Sequence, residues 1–397
     1  MDFIPEITHN GEGYYLTEEQ WLLKQNVREL VEKEIAPRFK ENYDEETAEK
    51  FYHESIKKLG EAGFLRVWPP EALGGMNMGC VSLGIVVEEV ARGNGAIAIH
   101  ALENPLLGIS GAMSDPEGYQ RILDGELIAA FSMCSPEGQA NYPEQADIAT
   151  FDEETQEWVL NGEKAFCSGG TFCDWLSIAG LYKGEMYGWV IGNPKDHPGV
   201  IIHHNPEIGA SPTSASITMK NVRLPKSAGT PMNTVKDRKA LPKNPSSNLF
   251  ACCVAAMALG SASAAFDKTV EYLTNRTSNF KPIASLGQIH GKLAEMRARL
   301  EAARCLTYTA LHMIDTNYKD AVLYTHLAKF YTCDMARWLT GECVQLWGNV
   351  GANPDSGISQ HMMDAVVFSI GTGTSELHVN GAALAMNLPK SDNPLCF

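Results

Sequence analysis

Leu23, Val27, Leu30, Val31 and Ile35 recur at intervals of three and four, the spacing of one apolar helix face. Thr17 followed by Gln20 has capping-box spacing and predicts where that helix starts. Pro37 marks a break or kink. Helical spacing returns in SIKKLGEAGF and VSLGIVVEEVARG, with Pro and Gly clusters between. The middle of the chain reads differently. AAFSMCS, WVLNGEKAF, DWLSIAGLY, YGWVIGN, GVIIHHN and ASITMKNVRL are short runs rich in aromatic and β-branched residues, separated by turn residues. Strands that succeed one another without helices predict an antiparallel sheet or small barrel. A Pro-, Lys- and Asn-rich linker runs from about Pro225 to Asn248. Leu249 to Leu273, Gly287 to Ile314 and Tyr318 to Trp347 are then helical over lengths well beyond the usual 11–12 residues or so. Long helices with apolar stripes predict an antiparallel bundle.

The predicted fold class is therefore α+β and multidomain. An N-terminal α-helical domain spans 1–128, a middle antiparallel β-barrel or sandwich domain 129–238, and a C-terminal four-helix bundle 239–397. The 397 residues suit two or three packed units at about 150 residues each. The formal net charge of −16 argues against a general binder of nucleic acid or anionic membrane. It leaves room for an anionic small ligand, because one local basic site is enough. We read no run of about 18 uncharged apolar residues, so no membrane span is expected. The start, MDFIPEITHNGEGYY, lacks a basic region leading into an apolar run, so no signal peptide is expected. The ten cysteines are scattered and form no CxxC. Free thiols in a reducing cytoplasm are expected, with neither a zinc site nor a disulfide frame.

Near the C-terminus, FSIGTGTSELH reads as a small-residue loop, Gly371 to Ser375, that carries a function. It joins a set of motifs in a fixed order. VRELVEKEIAP, GEAGFLRVWPPEALGGMNM and VVEEVARGN come first, then WVLNGEKAFCSGG with ITMKNVRLP. YLTNRTSNFKPI with GQIHGKLAEM comes next, and VQLWGNVG precedes the loop. Together they make the chain, from about Leu16 to Leu388, resemble the acyl-CoA dehydrogenase family of FAD flavoproteins. The resemblance implies FAD between the strand domain and the bundle, completed by a neighbouring subunit. It also implies an acyl-CoA substrate, a homotetramer built as a dimer of dimers, and electron-transfer flavoprotein as redox partner. In the family, a carboxylate removes the α-proton while the β-hydrogen leaves as hydride. The thioester carbonyl is held by a flavin ribityl hydroxyl and a backbone N–H, which stabilises the enolate.

The resemblance also implies residue-by-residue contacts to the flavin. The family's WITNG corresponds to Phe166, Cys167, Ser168, Gly169 and Gly170, which keeps an aromatic ring and a hydroxyl at Phe166 and Ser168. TEPxxGSD is here Cys134 to Asn141, so Cys134 takes the place of a flavin-contacting Thr, and Ala140 that of a Ser near the CoA arm. Arg276 matches the arginine that binds the FAD pyrophosphate across the dimer, with the family's next Phe shifted by one to Phe280. Gln345 and Gly348 match the neighbouring subunit's QxxGGxG, with Asn349 as the second Gly. Thr374 and Glu376 match cofactor-contacting positions.

The family's base stands in YEGTS, and Thr372 occupies that seat here. Some relatives place the base on the first bundle helix instead, and that position is Phe250. A Thr hydroxyl is no base at neutral pH. In RGNGAIAIHALENPLLG, however, His100 and Glu103 stand three apart on a run that is otherwise apolar. In the family this helix lines the deep end of the acyl pocket. The pair is either a hydrogen-bonded polar contact at the pocket floor or a subunit contact, or one of the two replaces the missing base or recognises a polar acyl group. Asp364 is expected to be structural. An oxidoreductase of a cyclic, aromatic or short acyl-CoA, with a relocated base or altered reaction, leads the readings. A flavin monooxygenase, a non-oxidative eliminating enzyme and a non-catalytic binding protein are the others.

Overall fold

The computed structural model describes residues 16–44, 47–108, 112, 115–136, 146–205, 209–210, 212–232 and 245–388. The MDFIPEITHNGEGYY start, Ala140 with its neighbours in 137–145, and linker residues 233–244 lie outside the described residues. The first helices are α1 (Glu18–Leu30), α2 (Ala48–Glu61), α3 (Gly79–Gly93), α4 (Gly95–Gly108) and α5 (Pro116–Leu123). The strands come next: β1 (Ala129–Ser132), β2 (Ala149–Asp152), β3 (Glu157–Cys167), β4 (Trp175–Tyr182), β5 (Glu185–Gly192), β6 (Val200–His204), β7 (Ala215–Pro225) and β8 (Gly229–Pro231). Then come α6 (Pro245–Asn275), the small hairpin β9 (Thr277–Ser278) and β10 (Lys281–Pro282), α7 (Gly287–Asp315) and α8 (Ala321–Trp347). The chain closes with the single turn α9 (Asn349–Ala352), α10 (Ile358–Ile370) and α11 (Ser375–Ala385). Helical, strand and helical thirds thus succeed one another in the expected order.

Local chemistry sets the boundaries. Thr17 and Gln20 close a reciprocal capping box at the start of α1. The expected break near Pro37 is spread out, with a π-helical turn over Val31–Ile35 running into a tighter turn over Ala36–Tyr43. Within VARGNG, α3 stops at Gly93, and the extended backbone of Asn94 separates it from α4, which begins at Gly95.

By contact the chain divides into two compact units, each discontinuous in sequence. A helical unit holds residues 1–39, 78–95 and 251–397, and a mixed unit holds 40–77 and 96–250. In the mixed unit, one sheet runs β1-β4-β5-β8 and the other β2-β3-β7-β6. Trp158, Leu160, Ile217 and Val222 of the second sheet share one buried cluster with Leu176, Ile178 and Trp189 of the first. The domain is therefore a sandwich of two sheets over a common core. Among the described residues its pairing departs from the all-antiparallel expectation where β1 runs parallel to β4 and in a lone parallel bridge between Asp147 and Leu181.

In the helical unit, α8 packs against α7, α10 and α11. α6 corrects one expectation. Asn248–Asn275 is long and apolar enough to cross a membrane, but 94% of its most apolar window is buried inside the protein. Its apolarity serves a core that surrounds it on all sides.

Candidate active site

α4 is buried almost all round, and its polar residues point into the mixed unit. Asn104 accepts from Ala129 N–H at 2.9 Å and donates to Leu127 C=O at 3.1 Å, which stitches α4 to the start of β1. One turn earlier, His100 packs its ring against Tyr52 and Phe172. Burial pushes His100 down to about 4, although a hydrogen bond to the Ala129 backbone opposes this. Burial also raises the Glu103 carboxyl well above its ordinary value. Oε2 of Glu103 lies 3.9 Å from Nδ1 of His100. That approach is too long for a hydrogen bond, and with a neutral ring beside a protonated acid it is not an ion pair. Both atoms are buried and find no partner among the described residues. The thiols of Cys167 and Cys173 are also within electrostatic reach of Glu103.

The strand-region candidates meet this pair. Between Lys164 and Cys167, β3 carries one more residue than β7 opposite. This bulge puts Phe166 at φ 57 and leaves the residue 57% exposed. Cys134 C=O accepts from Ala165 N–H at 2.9 Å, which sets Cys134 beside the bulge. Burial raises its thiol, with Lys164 partly opposing. Ser168 comes next, half-buried, and then Gly169 at φ 68. A Cβ on Gly169 would come within 2.2 Å of the His100 ring. The Phe166–Gly170 loop therefore rests directly on His100.

The remaining candidates form two groups in the helical unit. Thr372 is exposed at φ 59, unusual for a β-branched residue, and Gly373 stands next to it at φ 99. Thr374 caps α11 by accepting from Leu377 N–H, and its hydrogen bond to the exposed Glu376 holds that carboxyl below the usual range. Three residues that the sequence does not single out hold this loop from behind. His378 Nε2 lies 3.1 Å from Thr372 C=O, His326 Nδ1 lies 3.0 Å from His378 Nδ1, and the buried Lys329 donates to Gly373 C=O at 3.2 Å. His378 stands in FSIGTGTSELH, but its partner is 52 residues away and no local pattern joins them.

The second group gathers where α6 and α8 end. Tyr272 stacks on Trp347 at 4.1 Å, and Arg276 lies over the Tyr272 ring and bonds to its hydroxyl. Arg276 makes no ion pair among the described residues. Asn279 and Phe280 form the two-residue turn between β9 and β10, both at positive φ, so Phe280 projects fully exposed. Gln345 is exposed, and Gly348 ends α8 at φ 63 and ψ −141, with open space where a Cβ would stand. Phe250 is half-buried on α6. Asp364 is buried, receives Gln360 Nε2 at 2.6 Å and is pushed up to about 7 by burial.

Within each unit taken by itself, these residues have the chemistry that a flavin dinucleotide needs. Exposed rings at Phe166 and Phe280 sit on backbone that disfavours them, as surfaces made to stack do. Arg276 offers an unneutralised charge to a pyrophosphate. Among the described residues, no group of three or more His, Cys, Asp or Glu is placed to hold a metal.

Comparison with known proteins gives the family. Residues 17–112 match the family described as acyl-CoA dehydrogenase, N-terminal domain, and residues 248–386 match its C-terminal domain. The chain is 30% identical over 399 residues to a 3-(aryl)acrylate reductase of Clostridium sporogenes, covering 95% of this chain and 100% of the relative. It is 29% identical over 388 residues to a cyclohex-1-ene-1-carbonyl-CoA dehydrogenase of Geobacter metallireducens, covering 93% and 99%. In fold it superposes on butyryl-CoA dehydrogenase from Megasphaera elsdenii with TM-score 0.82 at 24% identity, covering 94% of this chain and 99% of that one. The chain belongs to the acyl-CoA dehydrogenase family, and with it to the FAD-dependent oxidoreductases.

Proposed function

We propose that this chain interconverts an α,β-unsaturated and a saturated thioester of CoA whose acyl group is cyclic, aryl-bearing or short, with Glu103 as the proton-holding group. FAD, when bound, supplies hydride transfer at the β-carbon. The observation that carries the reading is the buried Glu103–His100 pair, with an unpartnered oxygen facing an unpartnered nitrogen beneath the Phe166–Gly170 loop. A buried polar atom without a partner costs stability, so its retention points to a ligand or a proton in transit. Burial disfavours the Glu103 carboxylate and raises its carboxyl well above the ordinary value. It is thus a donor before it is a base, which favours reduction, with Glu103 giving its proton to the α-carbon. His100, kept neutral by burial and 3.9 Å away, packs beside the carboxyl and leaves the proton on Glu103. Thr372 and Phe250 supply no carboxylate at the two usual seats. The names of the relatives support the acyl class, since an arylacrylate reductase, a cyclohexenecarbonyl-CoA dehydrogenase and an acryloyl-CoA reductase all stand among them.

Arg276 and Gln345 at one end of the helical unit would hold the dinucleotide of a second copy, while the Thr372 loop serves its own. Lys329, beneath that loop, and Gln345 are 16 residues apart on α8, or about 24 Å. This separation supports a homo-oligomeric site. Electron-transfer flavoprotein as electron partner and a cytoplasmic location belong to the same reading.

The test is the bound-flavin spectrum of the holoenzyme. Cyclohexanecarbonyl-CoA is expected to bleach the oxidised flavin, and cinnamoyl-CoA to reoxidise the reduced form. Glu103→Gln should slow either step by about 10²-fold or more. Unchanged rates in Glu103→Gln would sink the relocated proton donor, and full bleaching by straight-chain saturated esters would sink the acyl assignment.

A further inference from the structure

The loop that carries Thr372 is held by a proton-ordered chain of two histidines. A carbonyl oxygen only accepts, so His378 must donate from Nε2 to Thr372 C=O. A neutral ring then leaves His378 Nδ1 as an acceptor. His326 Nδ1, 3.0 Å away, must be the donor to it. His326 Nε2 is left unprotonated, and that buried nitrogen finds no partner among the described residues. Both rings are thereby fixed in opposite tautomers. Gly381 leaves no side chain between them, since a Cβ there would lie 2.5 Å from the His326 ring. Lys329 anchors the next carbonyl, and Ser375 donates to Asp334 at 2.8 Å. Three tethers therefore converge on four residues whose backbone is under strain at Thr372.

We propose that His378 and His326 are positioning residues for the reaction. Through the ordered Nδ1–Nε2 chain they hold the Thr372 peptide in its left-handed conformation, in the loop that serves the bound flavin. The inference rests on the functional reading above only in taking the Thr372 loop as one that serves the bound flavin. The geometry supplies the reason. A left-handed β-branched residue relaxes unless its surroundings hold it, and His378 Nε2 is the donor that grips its carbonyl. Burial, with Lys329 adding to it, keeps His378 neutral, and burial does the same for His326. The single-proton order between the rings therefore persists at neutral pH. A second proton on the pair would set two N–H groups face to face at 3.0 Å.

The experiment uses the flavin-loaded enzyme and two readouts. The first is backbone hydrogen exchange over residues 371–378. The second is the single-turnover flavin rate with cinnamoyl-CoA and cyclohexanecarbonyl-CoA, with the affinity for each ester. His378→Leu should speed exchange in the loop on the order of tenfold. It should slow the flavin step on the order of tenfold to a hundredfold, with ester affinity changed by less than about twofold. His378→Gln, whose amide N–H can reach the same carbonyl, should recover most of both losses. His326→Leu should fall between the two. The proposal is overturned if His378→Leu leaves exchange and rate unchanged, if His378→Gln does no better than His378→Leu, or if the loop loosens while the rate stays the same. Should His378→Leu fail to fold, His326→Leu and His378→Gln carry the same comparison. Failure of the functional reading looks different, because the wild-type flavin would then respond to neither ester while exchange still reports the hold on the loop.

Discussion

At the residue scale, burial fixes the protonation of the candidate groups. Glu103 stays protonated in the folded chain but ionises above its ordinary value of 4.5 once unfolded. Its contribution is thus full below 4.5 and is lost as pH rises from there. Glu103→Gln should gain in melting temperature relative to wild type as pH increases from about 4.5 to 8, and a flat difference across that range would contradict the burial. The histidines act on the acid side. His100 and His378 fall from 6.5 to about 4 on folding, so each contributes stability that is complete above 6.5 and lost as pH falls towards 4. Each is worth about 3 kcal/mol over that window. His378→Gln should therefore lose less stability than wild type between pH 6.5 and 4 in denaturant titrations. The sequence named His100 and Glu103 because they interrupt an apolar run. Nothing in it marked His326, whose role depends on a ring 52 positions away.

At the element scale, close approach between helices decides more than propensity. Gly260 sits inside α6, where Ala would ordinarily favour the helix by about 1 kcal/mol. A Cβ there would lie 2.0 Å from the Glu88 carbonyl oxygen of α3, backbone that cannot turn aside. Packing should win, and Gly260→Ala is expected to destabilise by roughly 1–3 kcal/mol in chemical unfolding. A stabilised variant would mean that α3 and α6 do not meet there. The elements themselves were mostly legible, because the capping box, the apolar periodicities and the runs of β-branched residues are local signals. The β3 bulge that turns out Phe166 was not legible, since a bulge exists only against the partner strand. The parallel pairing of β1 with β4 is a matter of chain path that alternation cannot encode.

At the scale of the whole molecule, a buried charge cluster ties distant stretches into the helical unit. Glu88 on α3 is fully buried, and burial alone would raise its carboxyl. Lys24 of α1 and Arg304 of α7 outweigh that and, with the Tyr308 hydroxyl, hold it well below the usual range. Glu89 beside it meets Lys24 and Arg28. Glu88→Gln would leave Lys24 and Arg304 under-compensated in the interior and should cost about 3–5 kcal/mol in unfolding free energy. A loss under about 1 kcal/mol would show that the cluster is solvated. By itself, the sequence determined the order of helical and strand segments, the family through motifs in register along the chain, and the lack of a carboxylate at positions 372 and 250. These are statements about neighbours in sequence, and local chemistry carries them. Only the tertiary structure decided that α6 is a core helix, that Gly169 makes room for His100, and that two histidines order their protons behind Thr372. Each of these depends on groups far apart in the chain meeting where water is excluded, and burial and contact of that kind exist only once the chain has folded.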